Sequence, residues 1–220
     1  MNALNPVHRV DSQIAEAIMV HDPSIAREEA MAQVEDLFQL VGIPRDRMRD
    51  YPHQYSGGMK QRAIIAMALA CRPKLIIADE PTTALDVIVQ NQILQETRYL
   101  QKEFNISMIF ISHDISIVAE VCHDIGIMYA GQLVEYGARE EVFEGPVHPY
   151  TKALLSSYPT LTGEKSELTP IPGETLNLIH PPGGCRFCDR CPMSGATCRI
   201  EPPSWEAISP RHRALCDRCG

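Results

Sequence analysis

Leu75-Ile76-Ile77-Ala78-Asp79-Glu80 sets two adjacent carboxylates at the end of an almost wholly apolar run. Such a run reads as a buried parallel strand, and its C-terminal end is the edge at which open α/β sheets bind ligands. An Asp at the last strand position can hold Mg2+ through its water shell. The next residue points elsewhere, so Glu80 can orient or deprotonate an attacking water. The competing reading is a strand followed by a solvated acidic turn. His113 follows a second apolar run, Ile109-Phe110-Ile111-Ser112, and so reaches the same sheet edge. An imidazole there can donate to a terminal phosphate as charge develops during phosphoryl transfer; taken singly, it reads as structural. Ser56-Gly57-Gly58-Met59-Lys60-Gln61 opens a helix with a hydroxyl and two glycines. That exposes backbone N–H groups at the positive end of the helix dipole, a terminus suited to phosphate oxygens. In isolation it reads as a capped loop.

The elements that must position these residues follow from periodicity. Gln13–Val20 and Ile25–Val41 carry Ile14, Ile18, Ala30, Val34, Leu37 and Val41 at helical spacing, and Gly42-Ile43-Pro44 ends the second helix. Further helices are expected over Met59–Cys71, Leu85–Phe104, Ile115–Cys122 and Val147–Ser157, with buried strands over Lys74–Asp79 and Ile106–Ser112. Alternating strands and helices imply an α/β domain with a parallel sheet. Ile125–Tyr129 and Leu133–Tyr136 read as a hairpin across Ala130-Gly131-Gln132. From Pro159 to Gly184 prolines and glycines replace periodicity, so a linker is expected before a Cys-rich second unit from Cys185.

With 45% hydrophobic and 22% charged residues over 220 positions, the chain can bury one sizeable core plus a small appendage. A net charge of -8 argues against the broad basic footprint of a duplex nucleic-acid binder. The longest apolar run, Ala63–Cys71, is too short to cross a bilayer, and the N-terminus has no basic-then-apolar signal pattern. A cytosolic protein is expected, touching membrane only through a partner. Cys71 and Cys122 sit singly in apolar segments and read as core thiols. Six of the eight cysteines follow residue 184, and a cytosolic cluster of this kind reads as a metal site before a disulfide framework.

Taken together, Tyr55–Gln61, Leu75–Asp86 and Ile109–Asp114 occur in the order and spacing of an ABC-family nucleotide-binding domain, and the chain resembles that family strongly. Ser56 to Gln61 matches the signature motif, Leu75–Asp79 the Walker B strand, Glu80 the catalytic glutamate, Ala84-Leu85-Asp86 the D-loop and His113 the switch histidine. The resemblance implies a partial P-loop NTPase fold binding ATP and Mg2+, with Glu80 and His113 catalytic. It implies that Ser56, Gly57, Gly58, Gln61, Asp79 and Asp86 contact nucleotide, Asp79 acting on Mg2+ through water. In the family two domains face head to tail, the signature residues of one closing over ATP held by the other. The chain has no Gly-rich P-loop ending in Gly-Lys-Ser/Thr. Family domains place that loop, an antiparallel β-subdomain and a γ-phosphate-sensing glutamine before the point matching Met1. Met1 is therefore expected to be an internal methionine or the edge of a partial reading frame, and the chain is expected to be inactive alone.

The segment Val147-His148-Pro149-Tyr150-Thr151 through Ile171-Pro172-Gly173 to Gly184-Cys185, with Arg190-Cys191-Pro192 and Cys198, resembles the C-terminal extension of oligopeptide/dipeptide importer ATPases. The implied organisation is a nucleotide-domain portion over 1–158, a linker over 159–184 and the extension over 185–220. Within the first, a helical subdomain covers about 4–58, Walker B to the switch histidine 74–122, and the hairpin 125–136. The implied partners are a homologous second ATPase, two transmembrane permeases and, indirectly, an extracytoplasmic peptide-binding protein, on the inner face of the cell membrane. Cys185, Cys191, Cys198 and Cys216 match four family cysteines that in some members hold an iron–sulfur cluster, here a 4Fe–4S cluster. On the residues alone, the knuckles Cys188-Asp189-Arg190-Cys191 and Cys216-Asp217-Arg218-Cys219 favour Zn2+. Two other functions compete: a soluble ABC ATPase of nucleic-acid metabolism, which the acidic balance opposes, and a non-catalytic module or inert fragment lending only its signature helix. The sequence leaves open which peptide is carried, or whether nickel or glutathione replaces it.

Overall fold

A computed structural model describes residues 3–83, 85–157 and 170–218. They fall into two compact units, Met1–Val121 and Cys122–Gly220. The first is built from α1 (Val10–His21), α2 (Arg27–Leu40), α3 (Gly57–Leu69), β1 (Leu75–Asp79), α4 (Val87–Glu103), β2 (Ser107–Ile111) and α5 (Ile115–Val121). Ile14, Ala15 and Ile18 of α1 meet Ala30, Val34 and Phe38 of α2 and Ala63 and Ala66 of α3 in one buried cluster. Each large side chain so buried contributes about 1.5–3 kcal/mol. Val34 and Val41 lie in that cluster and Leu37 packs against it, so this stripe is core.

Helix ends are set by local chemistry. α2 closes with Ile43 N–H donating to the Phe38 carbonyl (2.8 Å) and Gly42 N–H to that of Gln39 (3.2 Å), Gly42 taking φ +68°. This reciprocal pairing needs a left-handed residue, which glycine supplies without a Cβ clash. α3 opens at Ser56, whose Oγ accepts from Met59 N–H at 3.3 Å. α4 opens at Asp86, whose carboxylate accepts from Val89 N–H at 2.9 Å.

β1 and β2 pair in parallel, Leu75 opposite Ser107 through to Asp79 opposite Ile111, so both strands end at one edge. They are not the buried strands that their composition predicts. Leu75, Ile77, Ile109 and Ile111 are each about half exposed or more. Among the described residues this sheet has two strands, so nothing covers its alternate positions. Among the described residues no helix is long and apolar enough to cross a membrane. Cys71 and Cys122 are half-buried, and the Cys71 thiol faces the Ala17 carbonyl.

The second unit is a four-stranded antiparallel sheet with short helices. Its elements are β3 (Asp124–Tyr129), β4 (Gln132–Ala138), α6 (Arg139–Glu144), α7 (Pro149–Ser156), α8 (Ala196–Ile200), β5 (Trp205–Ser209) and β6 (His212–Leu215). The hairpin β3–β4 is as expected, but the sheet order is β3-β4-β6-β5, with Glu135 opposite Ala214. By contact the division therefore falls at Val121/Cys122 rather than within 159–184, and the Cys-rich segment is built onto the hairpin. Two strands alone are marginal in water, and this docking completes a core. Tyr129, Tyr150 and Phe187 pack with ring centroids 4.6, 5.2 and 5.4 Å apart. Glu135, fully buried, accepts from Val147 N–H (2.8 Å), His148 N–H (2.9 Å) and His212 Nε2 (2.7 Å). Of the linker only 170–184 is described.

Candidate active site

Parallel pairing of β1 and β2 brings Asp79, Glu80 and His113 to one edge, as strand-end reasoning requires. Glu80 N–H donates to the Ile111 carbonyl at 2.9 Å, stitching the two strand ends together. Glu80 itself takes φ +48°, a left-handed conformation unusual for a side chain with a Cβ. Such backbone strain persists only where surroundings over-determine it, and it gathers at active sites.

The Glu80 carboxylate is held on three sides. Oε1 accepts from the His113 backbone N–H (3.0 Å) and from His113 Nδ1 (2.8 Å), while Oε2 accepts from Thr83 Oγ1 (2.9 Å). The hydrogen bond from the His113 ring, with support from Thr83, holds the Glu80 carboxyl below its ordinary pKa. The same bond, and the carboxylate charge, raise the His113 pKa. Glu80 is thus kept ionised, as a group that must accept a proton or orient water has to be. His113 bonds through Nδ1, which turns Nε2 away from Glu80; Nε2 is a donor when the ring is protonated, the form towards which the bond to Glu80 shifts it. The ring is 80% exposed, open to a ligand oxygen.

Gln61, Asp79, Glu80 and His113 line one cavity of about 660 Å3, floored by apolar residues such as Ile64, Ile76 and Phe110. Gln61 reaches it from α3 as a buried side chain. Ser56, Gly57 and Gly58 do not line this cavity; they form the start of α3. Ser56 Oγ accepts from Met59 N–H as the cap of α3. Gly57 and Gly58 N–H, as the first helical donors, need no intrahelical acceptor. Asp86 caps α4, next to that start. A Cβ on Gly57 would lie 3.3 Å from Leu85 Cδ2, and one on Gly58 3.0 Å from Val89 Cγ1, so both glycines permit close packing. The chain therefore presents an acid–imidazole strand edge and, outside the cavity that edge lines, a capped helix start. Ala84 lies outside the described residues.

Thr83 was not legible as a site residue. Its only signal is a hydroxyl three positions after Glu80 on a tight turn.

In the second unit, Cys185, Cys188, Cys191, Cys198 and Cys216 all line a small cavity of about 30 Å3. Burial pushes the Cys185, Cys188 and Cys191 thiols up in pKa. Cys216 is disulfide-bonded, and Cys219 lies outside the described residues. Among the described residues no three Cys, His, Asp or Glu side chains stand close enough together to hold a metal ion.

The sequence model described as "ABC transporter" matches residues 2–83. That described as "Oligopeptide/dipeptide transporter, C-terminal region" matches residues 134–198. The chain is 47% identical over 218 residues to the oligopeptide transport ATP-binding protein OppD of Salmonella typhimurium, covering 98% of this chain and 64% of OppD. It is 45% identical over 218 residues to the dipeptide transport ATP-binding protein DppD of Bacillus subtilis, covering 98% of this chain and 65% of DppD. The chain thus spans just under two-thirds of the length of these relatives. Among solved structures, a dimeric post-hydrolysis state of the ATP-binding cassette MJ0796, bound to ADP and Pi, aligns with a TM-score of 0.55 and 25% identity, over 62% of this chain and 59% of that one. Two family models within one polypeptide, and relatives 45–47% identical over almost all of it, show that the chain belongs to the ABC transporter ATP-binding family, in its oligopeptide/dipeptide transporter branch.

Proposed function

We propose that the chain supplies the hydrolytic edge and the signature helix of an ATPase that energises oligopeptide or dipeptide import across the cytoplasmic membrane. The observation that carries this reading is the Glu80–His113–Thr83 cluster at the strand ends, in a chain that also has the peptide-transporter C-terminal region. In the proposed mechanism Asp79 holds Mg2+ through water, Glu80 orients the attacking water, and His113 Nε2–H donates to the terminal phosphate. Ser56, Gly57 and Gly58 approach that phosphate from a homologous second ATPase, in the manner of a donor-lined anion site. Two permeases carry the peptide and an extracytoplasmic binding protein delivers it, so this subunit works peripherally on the inner membrane face. The 220-residue polypeptide has no P-loop, and on its own it should release phosphate no faster than its Glu80→Gln form.

The test is uptake into proteoliposomes holding the assembled transporter. ATP-dependent accumulation of a labelled dipeptide or oligopeptide, lost with Glu80→Gln, is expected. ATP-dependent uptake of nickel or glutathione with no peptide uptake would overturn the cargo assignment.

We further propose a 4Fe–4S cluster on Cys185, Cys191, Cys198 and Cys216, a cross-link between the loops of the Cys-rich segment. The reading is supported by the soft donor set and its convergence on one cavity. Ligand spacing does not support it as it stands, since Cys216 is tied in a disulfide. Loading therefore requires an external dithiol to reduce that disulfide, itself being oxidised to a disulfide as the two cysteine thiols are released, and then closure of the loops. Iron analysis and visible absorbance after anaerobic reconstitution test this; zinc as the sole bound metal would reject it.

A further inference from the structure

Three helices meet at the side chain of Arg62, on α3 just past the signature residues. Its Nη1 donates to the Val41 carbonyl oxygen, the C-cap of α2, at 2.7 Å. Its Nη2 pairs with the Glu96 carboxylate on α4. The two side chains are only 15% and 29% exposed. A guanidinium at the negative end of α2 is favourable, and its planar fork serves acceptors on two elements at once, which an ammonium cannot reproduce. Burial raises the Glu96 carboxyl pKa even with Arg62 beside it. A half-buried pair that pays desolvation is weak evidence for stability and better evidence for geometry.

Glycine placement supports a geometric role. A Cβ on Gly42 would overlap the Arg62 guanidinium, so Gly42 provides room as well as the left-handed turn. About one turn before Arg62, Gly57 and Gly58 let the start of α3 press on Leu85 and Val89, beside Asp86. α3 and α4 are thus braced together at their N-termini, and Arg62 fastens that braced pair to the end of α2.

We propose that Arg62 is a positioning residue. It joins the α1–α2 pair to the adjacent N-termini of α3 and α4, and so sets where Ser56–Gly58 and Asp86 stand when the nucleotide site closes. A shift of α2 moves the Val41 carbonyl; the guanidinium passes that movement to its own helix and, through Glu96, to α4. The inference rests on the ATP reading above.

The experiment is steady-state ATP hydrolysis by the assembled transporter, with the thermal midpoint measured in parallel. Arg62→Lys is expected to raise the KM for ATP about fivefold, with kcat within about twofold of wild type and the midpoint unchanged. Glu96→Gln keeps the Val41 bond and shifts KM less, in the same direction. The charge swap Arg62→Glu with Glu96→Arg restores an ion pair but not the bond to α2, so KM stays raised. An unchanged KM in Arg62→Lys overturns the proposal, as does a charge swap with wild-type KM. If Arg62→Lys does not assemble, Glu96→Gln decides, and an unchanged KM there has the same force. Failure of the ATP reading looks different: the wild-type transporter itself then shows no turnover sensitive to Glu80→Gln.

Discussion

A glutamate–histidine pair occurs in each unit of this protein, built to nearly the same distance and used for opposite ends. Glu80 meets His113 at 2.8 Å, and Glu135 meets His212 at 2.7 Å. The first pair is 35% and 80% exposed; the second is 0% and 4% exposed. Solvent separates their roles. The exposed pair gains little stability from its Coulomb attraction, which water screens. Its value lies in presenting an ionised carboxylate and an outward imidazole Nε2 at a strand edge. The buried pair cannot reach a ligand, and its carboxylate is committed to two backbone N–H groups as well. It holds β4, β6 and the start of α7 in register, and so keeps the Cys-rich segment on the hairpin.

Breaking each pair should therefore damage different properties. Glu135→Ala strands the buried His212 ring, the buried His148 N–H and the part-buried Val147 N–H, and should destabilise the second unit by about 3–5 kcal/mol. Denaturant unfolding followed by Trp205, the sole tryptophan, measures this directly. Glu80→Gln should shift the thermal midpoint by less than about 2 °C. A large loss from Glu80→Gln with a small one from Glu135→Ala would reverse the assignment.

A second contrast is acid sensitivity. Burial, only partly opposed by the Glu135 charge, lowers the His148 pKa from its ordinary 6.5 to about 4. The unfolded chain therefore binds a proton that the folded chain refuses, and stability is lost as pH falls from about 6.5 towards 4. The Trp205 signal should show the second unit weakening over that window.

The smallest effect is the titration of His113. Its pKa is raised by the bond to Glu80, so that contribution is present below its ordinary pKa and is lost as pH rises through the raised value. The lowered Glu80 pKa ends the pair's contribution at the acid side instead, as pH falls through it. An NMR titration should place His113 above its ordinary value in wild type and return it there in Glu80→Gln. An identical titration in both would dissolve the pair as an electrostatic unit.

Much of the first unit was legible because its signals are local. Ser56 caps the helix it immediately precedes, Gly42 ends α2, and β1 and β2 fall within a residue or two of the apolar runs that announce them, whereas Asp86 is the cap of α4 and not a residue within it. The meeting of Glu80 with His113 followed from strand-end logic. Its details did not: neither the left-handed φ of Glu80 nor the Thr83 bond has a pattern in sequence. The strands' exposure was misjudged because composition reports what a strand could bury, not whether anything covers it. In the second unit, β5 and β6 went unread because both are short, β5 is largely exposed, and both are stabilised by partners far away in the chain. Their register depends on Glu135 opposite Ala214, a long-range pairing that no window of sequence contains. Arg62 was missed for the same reason, since Val41 and Glu96 flank it from distant positions.

Phosphate release by the assembled transporter carrying Glu80→Gln together with His113→Ala, measured beside ATP binding, bears most directly on the account. It predicts that ATP still binds and that release falls by about a hundredfold or more. Turnover equal to wild type, with binding intact, would contradict it.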